Sequence, residues 1–473
     1  MLSNLNYKNF DYDYKNFDVV VVGAGAAGIT ITRELARLGH HVALVEAGDY
    51  EFSERSQEIY KARSIGDPYF DLDVARLRFF GGTTNHWTGY CRTFEVEDFE
   101  RDYLGEEFKW PIKNDQLKPY LKTACNILEI SDVFNDKIIT QSDIERFEIK
   151  FSPAVRFRDK YYNEIVNNPK IHLFLNANLT DVLLVNNRVT EIKINSYTNV
   201  AVNIKAKKYI FAMGGIENSR YLLYFYKKYG NNFISNNFAL GKYWMEHPHF
   251  ILGEAIIDEK KVDGKFYSIS ANTQKKLGIL NCGIRVEKLD YSATKSLIKD
   301  VSCLAPNLAK SFGKLLNKRI ICGVRLVGVW EQSPNKNNRI ILDTKLDRFG
   351  IPKPILKWKK NTIDRKTIVK TIEKFNHWLL DIDGGRIKLD DWIMNDNNYP
   401  DNGLIAGCHH MGGTRMHENP RLGVVNKNCR VYGSENLYMA GSSVFTTGGH
   451  NNPTLPIIQL SLRLANHLHK KLS

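Results

Sequence analysis

Cysteine is scarce in this 473-residue chain, and it is scattered. The seven cysteines, at 91, 125, 282, 303, 322, 408 and 429, include no CxxC pair and form no even-numbered framework, which argues against a disulfide scaffold or a structural zinc site. A reducing compartment follows as the default. Long apolar runs are also missing: the longest near the start, Val19 to Ile31, falls short of the roughly 20 residues of a spanning helix and is interrupted by Gly23, Gly25 and Gly28. The polar residues ahead of it repeat Asn-Tyr-Lys-Asn-Phe-Asp as Asp-Tyr-Lys-Asn-Phe-Asp and lack the apolar stretch of a signal peptide. Residues 1–14 therefore read as a flexible N-terminal arm, and the expected location is cytoplasmic. Acidic residues are outnumbered, 52 Asp plus Glu against 66 Lys plus Arg, for a net charge of +14. Yet there is no Cys/His finger, no zipper heptad and no dense arginine run, so no nucleic-acid partner is expected and the surplus reads as solvated surface. What remains, 43% hydrophobic and 25% charged residues, is ordinary globular composition with length for two or more domains.

The first chemistry lies near the start. Phe17 to Val22 has the pattern of a buried strand and runs into Gly23-Ala24-Gly25-Ala26-Ala27-Gly28. Ile29, Thr32, Leu35, Ala36 and Leu38 then fall at helical spacing until Gly39, and a second strand, His41 to Val45, closes on Glu46. Strand, glycine turn, helix, strand and acid together form a dinucleotide-binding unit. The glycines allow a tight turn, close approach of pyrophosphate and close helix–strand packing, the helix N-terminus faces the phosphates, and Glu46 can accept from a ribose hydroxyl. The fingerprint is not repeated for a separate NAD(P) domain, which favours FAD.

Further along, Phe80-Gly81-Gly82-Thr83-Thr84-Asn85-His86-Trp87 forms a glycine-rich loop. Cys408-His409-His410-Met411-Gly412-Gly413-Thr414 is followed by Ala440-Gly441-Ser442-Ser443 and by Gly449-His450-Asn451-Asn452-Pro453-Thr454. In this order, with the N-terminal unit, these stretches resemble the glucose-methanol-choline family of flavoprotein oxidoreductases, in its branch of pyranose oxidases and fructose and gluconate dehydrogenases. Tyr209 to Ser219 and Gly241 to His249 are similar to weaker stretches of that family. The likeness is densest in 19–92, 207–249 and 405–466.

The resemblance implies a Rossmann-like α/β FAD-binding domain, discontinuous over 15–100, 165–245 and 400–473, and an α+β substrate-binding domain built on an antiparallel sheet from 101–164 and 246–399. It implies FAD held by Gly23, Gly25, Ala26, Ala27, Gly28, Glu46, Ala47, Gly82, Thr83, Asn85, His86, Ala212, Gly441, Ser442, Asn452, Pro453 and Thr454, with a covalent link through His86 as one reading and simple loop packing as the other. It implies oxidation of a CH–OH group to a carbonyl, on a sugar or polyol. Flavin N5 takes the hydride, His409 takes the proton and Asn452 holds the oxygen. The Gly412-Gly413 pair lets His410 occupy the base position instead, and His450 is a further candidate for the pocket. The reoxidant, whether oxygen, a quinone or a redox protein, is left open. Two other readings of the same fold stand beside this one: a lyase or photoenzyme without net redox turnover, and a non-catalytic flavin-binding protein.

The remaining features have plainer readings. Leu455, Ile458, Leu462, Ala465 and Leu468 describe a buried C-terminal helix whose N-terminus would stabilise negative charge on reduced flavin. His247 and His249 flank Pro248 as a single isolated pair, which is poor evidence for a metal, so they read as a domain crossover and no metal is expected. Residues 320 to 358 read as strands roofing the flavin, followed by a helix over 362–380. Lys310, Lys314 and Lys318 opposite Leu308, Phe312, Leu315 and Leu316 describe a basic amphipathic helix at 308–319, most simply a solvated surface helix, with peripheral membrane contact as the alternative.

Overall fold

Four consecutive valines have no polar face to offer water, and in the computed structural model Val19, Val20, Val21 and Val22 are all enclosed. The structure describes residues 1–7, 17–235, 238–288, 320–395, 399 and 404–473. Strand Phe17–Val22 lies inside a sheet ordered Leu2–Asn4, Ile171–Leu175, Val42–Val45, Phe17–Val22, Ala201–Phe211, Arg188–Asn195 and Asn178–Val185, with Leu437–Met439 also paired to Ala201–Phe211. The pairings from Leu2–Asn4 to Ala201–Phe211 are parallel, as buried βα units require, and the last two are antiparallel. Ala201–Phe211 serves both halves: Ala201 to Lys205 pair with Arg188–Asn195, and Ala206 onward pairs with Phe17–Val22.

Helix Ala26–Arg37 packs on strands Phe17–Val22 and Val42–Val45, and the C-terminal helix Thr454–Leu472 packs along it. Thr454 thus begins a helix whose Leu455, Ile458, Leu462, Ala465 and Leu468 are all buried, as their spacing predicts.

The second layer is an antiparallel sheet in the order Gly385–Leu389, His249–Asp258, Ile320–Trp330, Cys282–Lys288, Phe266–Ile269, Ile144–Arg146 and Lys137–Ile138. Alternation along these strands sorts the faces. Leu252, Leu326, Trp330, Cys282, Ile284 and Tyr267 turn toward helix Thr362–Asp381, whose Ile368, Ile372, Phe375 and Leu379 complete that core. His249, Val329, Gly283, Arg285 and Phe266 turn the other way, toward a large cavity.

Three expectations need correction. The arm expected over 1–14 begins as a strand: Leu2–Asn4 pairs with Leu173 to Leu175, and the Met1 amine bonds to the Val166 and Ile171 carbonyls, so sheet hydrogen bonds order it despite its polar composition. Segment 101–164, expected in the substrate half, is divided. Its helix Leu121–Leu128 packs on the C-terminal helix and its helix Phe157–Asn167 packs on Ile171–Leu175, because Ala124, Cys125, Leu128, Phe157, Tyr161 and Ile165 give each an apolar side to bury there. Finally, Arg339–Leu346 and Pro352–Trp358 form the expected hairpin but pair with Arg63–Gly66 in a separate three-stranded sheet, leaving Ile320–Trp330 as that region's contribution to the roof. The basic helix expected at 308–319 lies outside the described residues. No helix among the described residues is long and apolar enough to cross a membrane.

Candidate active site

The glycine turn explains itself residue by residue. Gly23 has φ +104°, and a Cβ there would lie 2.6 Å from the Ala212 carbonyl oxygen. A Cβ on Gly28 would lie 1.8 Å from the Gly23 oxygen, so helix Ala26–Arg37 sits this close to the strand only because position 28 has no side chain. At Gly25, by contrast, a Cβ would meet nothing within 4 Å: this position opens into the cavity. Gly25 caps the helix without a side-chain hydrogen bond, and the first turn carries no acid, so its N–H groups face open space. Glu46 is buried, with Oε2 accepting from Ala24 N–H and Oε1 from Gly48 N–H, each at 2.9 Å. Each oxygen keeps a second lone pair, and Glu46 reaches the cavity wall.

That cavity, of about 740 Å³, collects most of the predicted residues. Gly23, Gly25, Ala26, Ala27 and Glu46 line it from the first βα unit, Gly82, Thr83 and His86 from the glycine-rich loop, and Ala212 from the end of its strand. Gly441, Ser442, His450, Asn452, Pro453 and Thr454 line it from the carboxyl end, with His409 and His410. Gly28, Ala47 and Asn85 do not reach it. Gly28 is spent on helix packing, the Ala47 carbonyl accepts from the Tyr197 hydroxyl at 3.3 Å, and Asn85 turns back to donate to the Phe80 carbonyl at 2.9 Å, bracing its own loop. His86 stands at the cavity edge, and partial desolvation together with nearby Arg156 lowers its pKa. Arg156 holds the loop from behind by donating to the Thr84 and Trp87 carbonyls.

A second helix opens into the same space. Thr454–Leu472 also lacks a side-chain cap and has no acid in its first turn. Asn452, just before it, places Nδ2 3.1 Å from His409 Nε2. His409, rather than His410, is the histidine that meets the amide. Burial pulls His409 down to about 4, below the near-neutral value expected of an imidazole in water, so its base form is the one present at neutral pH.

His410 turns away to a different network. Its Nε2 lies 3.0 Å from the Tyr69 hydroxyl, its ring packs 5.6 Å from that of Trp244, and burial drives its pKa well down. The Tyr69 hydroxyl donates to Oε2 of Glu246, a fully buried carboxyl. Glu246 Oε1 accepts the backbone N–H groups of His247, at 2.8 Å, and His409, at 2.6 Å. Desolvation nevertheless raises Glu246 to about 7.

Sequence reading missed Tyr69 and Glu246, and read His247 only as a crossover. His247 Nδ1 stands 3.0 Å from His409 Nδ1. The one available signal was the clustering of Glu246, His247 and His249 around Pro248, which says nothing of a partner more than 160 residues away. Also unforeseen is the support of the loop carrying His450 and Asn452. Arg101 pairs with Asp98 at 3.1 Å and Glu331 at 2.9 Å, all three buried, and Glu331 Oε1 accepts from Gly449 N–H at 3.2 Å. The ring nitrogens of His249 and His450 have no hydrogen-bond partner among the described residues, and burial holds both rings neutral. No group of metal-ligating side chains suited to an ion occurs among the described residues.

Comparison with known proteins adds the following. Residues 334–461 match the GMC oxidoreductase family model, and residues 18–95 match that of the FAD dependent oxidoreductases. The chain is 21% identical to the fructose dehydrogenase large subunit of Gluconobacter japonicus, across 95% of this chain and 97% of that protein. It is 23% identical to 2-methyl-1,2-propanediol dehydrogenase of Mycolicibacterium austroafricanum, across 96% of each. Among solved structures, an FAD-dependent oxidoreductase from Chaetomium thermophilum aligns with a TM-score of 0.58 at 14% identity, covering 96% of this chain and 99% of that one, a likeness of fold.

Proposed function

The chain belongs to the glucose-methanol-choline family, which makes it an FAD-dependent oxidoreductase acting on CH–OH donors, and we propose that its donor is a hydroxyl of a sugar or small polyol. The observation that carries the reading is the pair of His409 Nε2 and Asn452 Nδ2, 3.1 Å apart in the cavity that the glycine turn opens into.

The residues suit the cofactor. The open position at Gly25 and the uncapped N-terminus of Ala26–Arg37 would take a pyrophosphate, and Glu46 would take a ribose hydroxyl. The uncapped N-terminus at Thr454 would favour negative charge on a reduced ring. FAD, when bound, supplies the hydride acceptor.

The chain's own part is to manage the hydroxyl proton. A substrate oxygen entering between His409 and Asn452 exchanges their mutual contact for one hydrogen bond to each. Asn452 Nδ2 donates to the oxygen and orients its lone pairs, and His409 Nε2 accepts the O–H and then takes the proton as the carbonyl forms. A pKa of about 4 keeps His409 ready at neutral pH but makes it a weak base, so the step relies on simultaneous loss of hydride from the same carbon. With substrate bound, the sheet above would displace water from the site and so strengthen these contacts. The donor class is supported by the wall, where the aromatic rings of Tyr90, Phe147 and Phe266 stand with the imidazoles of His249 and His450. Two relatives named for a sugar and for a diol agree with it.

The test is an anaerobic flavin-bleaching screen of purified holoenzyme against monosaccharides, glycosides, diols and simple alcohols. Bleaching by a sugar or polyol, with air, a quinone or a haem protein then restoring colour, is the expected result and identifies the acceptor. Flavin that stays oxidised with every polyol would refute the donor class and favour use of the fold without net redox turnover.

A further inference from the structure

His247 lies where the chain leaves the FAD-binding half for strand His249–Asp258, next to a proline that stiffens the crossing. Its ring is fully buried, with its centroid 5.1 Å from that of His409 and the planes at 82°, so the two Nδ1 atoms face each other at 3.0 Å. Two imidazole nitrogens at that distance share one proton: one ring donates and the other accepts. The far side of the His409 ring decides which. Asn452 Nδ2 is an amide N–H and can only donate, so His409 Nε2 opposite it carries a lone pair. The His409 proton is then on Nδ1, directed at His247, whose own proton is on Nε2. That nitrogen is buried and has no hydrogen-bond partner among the described residues, so the His409 contact is the one that orders the His247 ring.

The surroundings hold this arrangement in place. Glu246 Oε1 accepts the backbone N–H of both His247 and His409, so one buried oxygen ties together the two segments that carry the rings. On the opposite side a Cβ at Gly448 would lie 2.9 Å from His247 Nε2, so only glycine leaves the ring its room.

We propose that His247 is the positioning residue of the base: it accepts from His409 Nδ1–H, fixes the tautomer that leaves Nε2 open to the substrate hydroxyl, and steadies the imidazolium that results. This rests on the reading of His409 as the base. In the step, the substrate O–H breaks and an N–H forms on His409 Nε2, while the Nδ1–H bond stays intact. The positive charge remains on His409. The ring of His409 faces His247, with His249 and His450 the other titratable groups near enough to act on it; its neighbour Glu246 turns its carboxyl to backbone N–H groups and the Tyr69 hydroxyl, and burial keeps the His247 ring neutral. A neutral acceptor thus does here what a carboxylate does beside many catalytic histidines, without placing a second charge in the site.

The test combines spectroscopy with kinetics. Histidine-selective ¹⁵N NMR of the wild-type holoenzyme, with the His409 signals identified by their loss in His409→Gln, should show a protonated Nδ1 and an unprotonated Nε2. A His409 protonated on Nε2 would overturn the proposal. His247→Phe keeps an aromatic ring but removes the acceptor. It should retain FAD, mix the His409 tautomers and slow anaerobic flavin reduction by about thirty- to a hundredfold with little change in the substrate concentration needed, whereas His247→Asn, which offers an acceptor oxygen, should recover to within about fivefold. Equal losses in both variants with the His409 tautomer unchanged would mean that His247 only fills space, and the proposal would fall. Should His247→Phe fail to fold, the wild-type spectrum and His247→Asn still decide. If His409→Gln reduces flavin normally, the base itself is misassigned; if His409→Gln is inactive and His247→Phe is not impaired, only the role of His247 is refuted.

Discussion

Replacing Glu246 by glutamine should stabilise the protein at alkaline pH and leave it nearly unchanged in acid. The carboxyl is fully buried and titrates at about 7, against 4.5 for the free side chain, with desolvation as the leading cause. A carboxyl whose folded pKa is raised favours the folded state in its protonated form. That advantage is complete below pH 4.5 and is lost as pH rises through 7. At about 1.4 kcal/mol per pKa unit the ionised group costs about 3 kcal/mol above neutrality. Glutamine avoids the cost and keeps the contacts. Its oxygen still accepts from the His247 and His409 N–H groups. Its amide N–H replaces the acceptor facing Tyr69, whose hydroxyl can then accept from the amide and donate to His410 Nε2. Exchanging one hydrogen bond for another is worth within about 1 kcal/mol at either pH. The variant-minus-wild-type difference should therefore grow by about 2–3 kcal/mol between pH 5 and pH 8, or about 2–3 °C in thermal midpoint. Thermal unfolding followed by tryptophan fluorescence at matched flavin occupancy measures it, and subtracting wild type cancels every other titrating group. A difference that is flat across this range, or that shrinks as pH rises, would refute the burial argument.

Four further outcomes are expected. His409→Ala should lower the rate of anaerobic flavin reduction by about a hundredfold or more with FAD retained, Asn452→Ala by less, and stopped-flow absorbance would show it; a larger loss in His410→Ala than in His409→Ala would move the base to the neighbouring ring. Because His409 accepts a proton only when neutral, the reduction rate should be level across neutral pH and fall on an acid limb near pH 4–5, so a limb centred above pH 6 would contradict the burial of this ring. Gly28→Ala should yield protein without flavin colour, since its methyl carbon would sit 1.8 Å from the Gly23 oxygen, whereas a yellow Gly28→Ala protein would show that the helix can retreat. Acid precipitation of the holoenzyme should release the flavin into the supernatant; a protein mass raised by one FAD, and restored in His86→Ala, would instead establish a bond at His86.

The parts of this protein legible in its sequence are those whose causes are local. Val19 to Val22, the three glycines and Glu46 lie within one strand–turn–helix–strand unit, where each residue's task is set by neighbours a few positions away. Helix Thr454–Leu472 announces itself by the spacing of its apolar residues, and the carboxyl-terminal motifs mark His409 and Asn452 as members of one site. The pattern could not separate His409 from His410, because adjacent residues in an irregular segment differ only in direction. It also could not see that Asn85 turns back to its own loop or that Leu2–Asn4 is a strand, since both follow from partners supplied elsewhere.

Tertiary structure decided the direction of each ring and the charge state of each group. His409 faces Asn452 because Glu246, from a different segment, grips the His409 backbone, while Tyr69 gives His410 another partner. Asp98 carries no sign of function in composition or spacing, and Glu246 and His247 carry only their clustering with His249 around Pro248. They matter through burial and through contacts that span well over a hundred residues of chain. Sequence alone determined the FAD unit and the residue types able to handle a hydroxyl proton, because backbone sterics and periodicity act over a few residues. Which imidazole nitrogen is free to act, and at what pKa, depends on desolvation and on donors brought from distant segments, and that convergence exists only once the chain has folded.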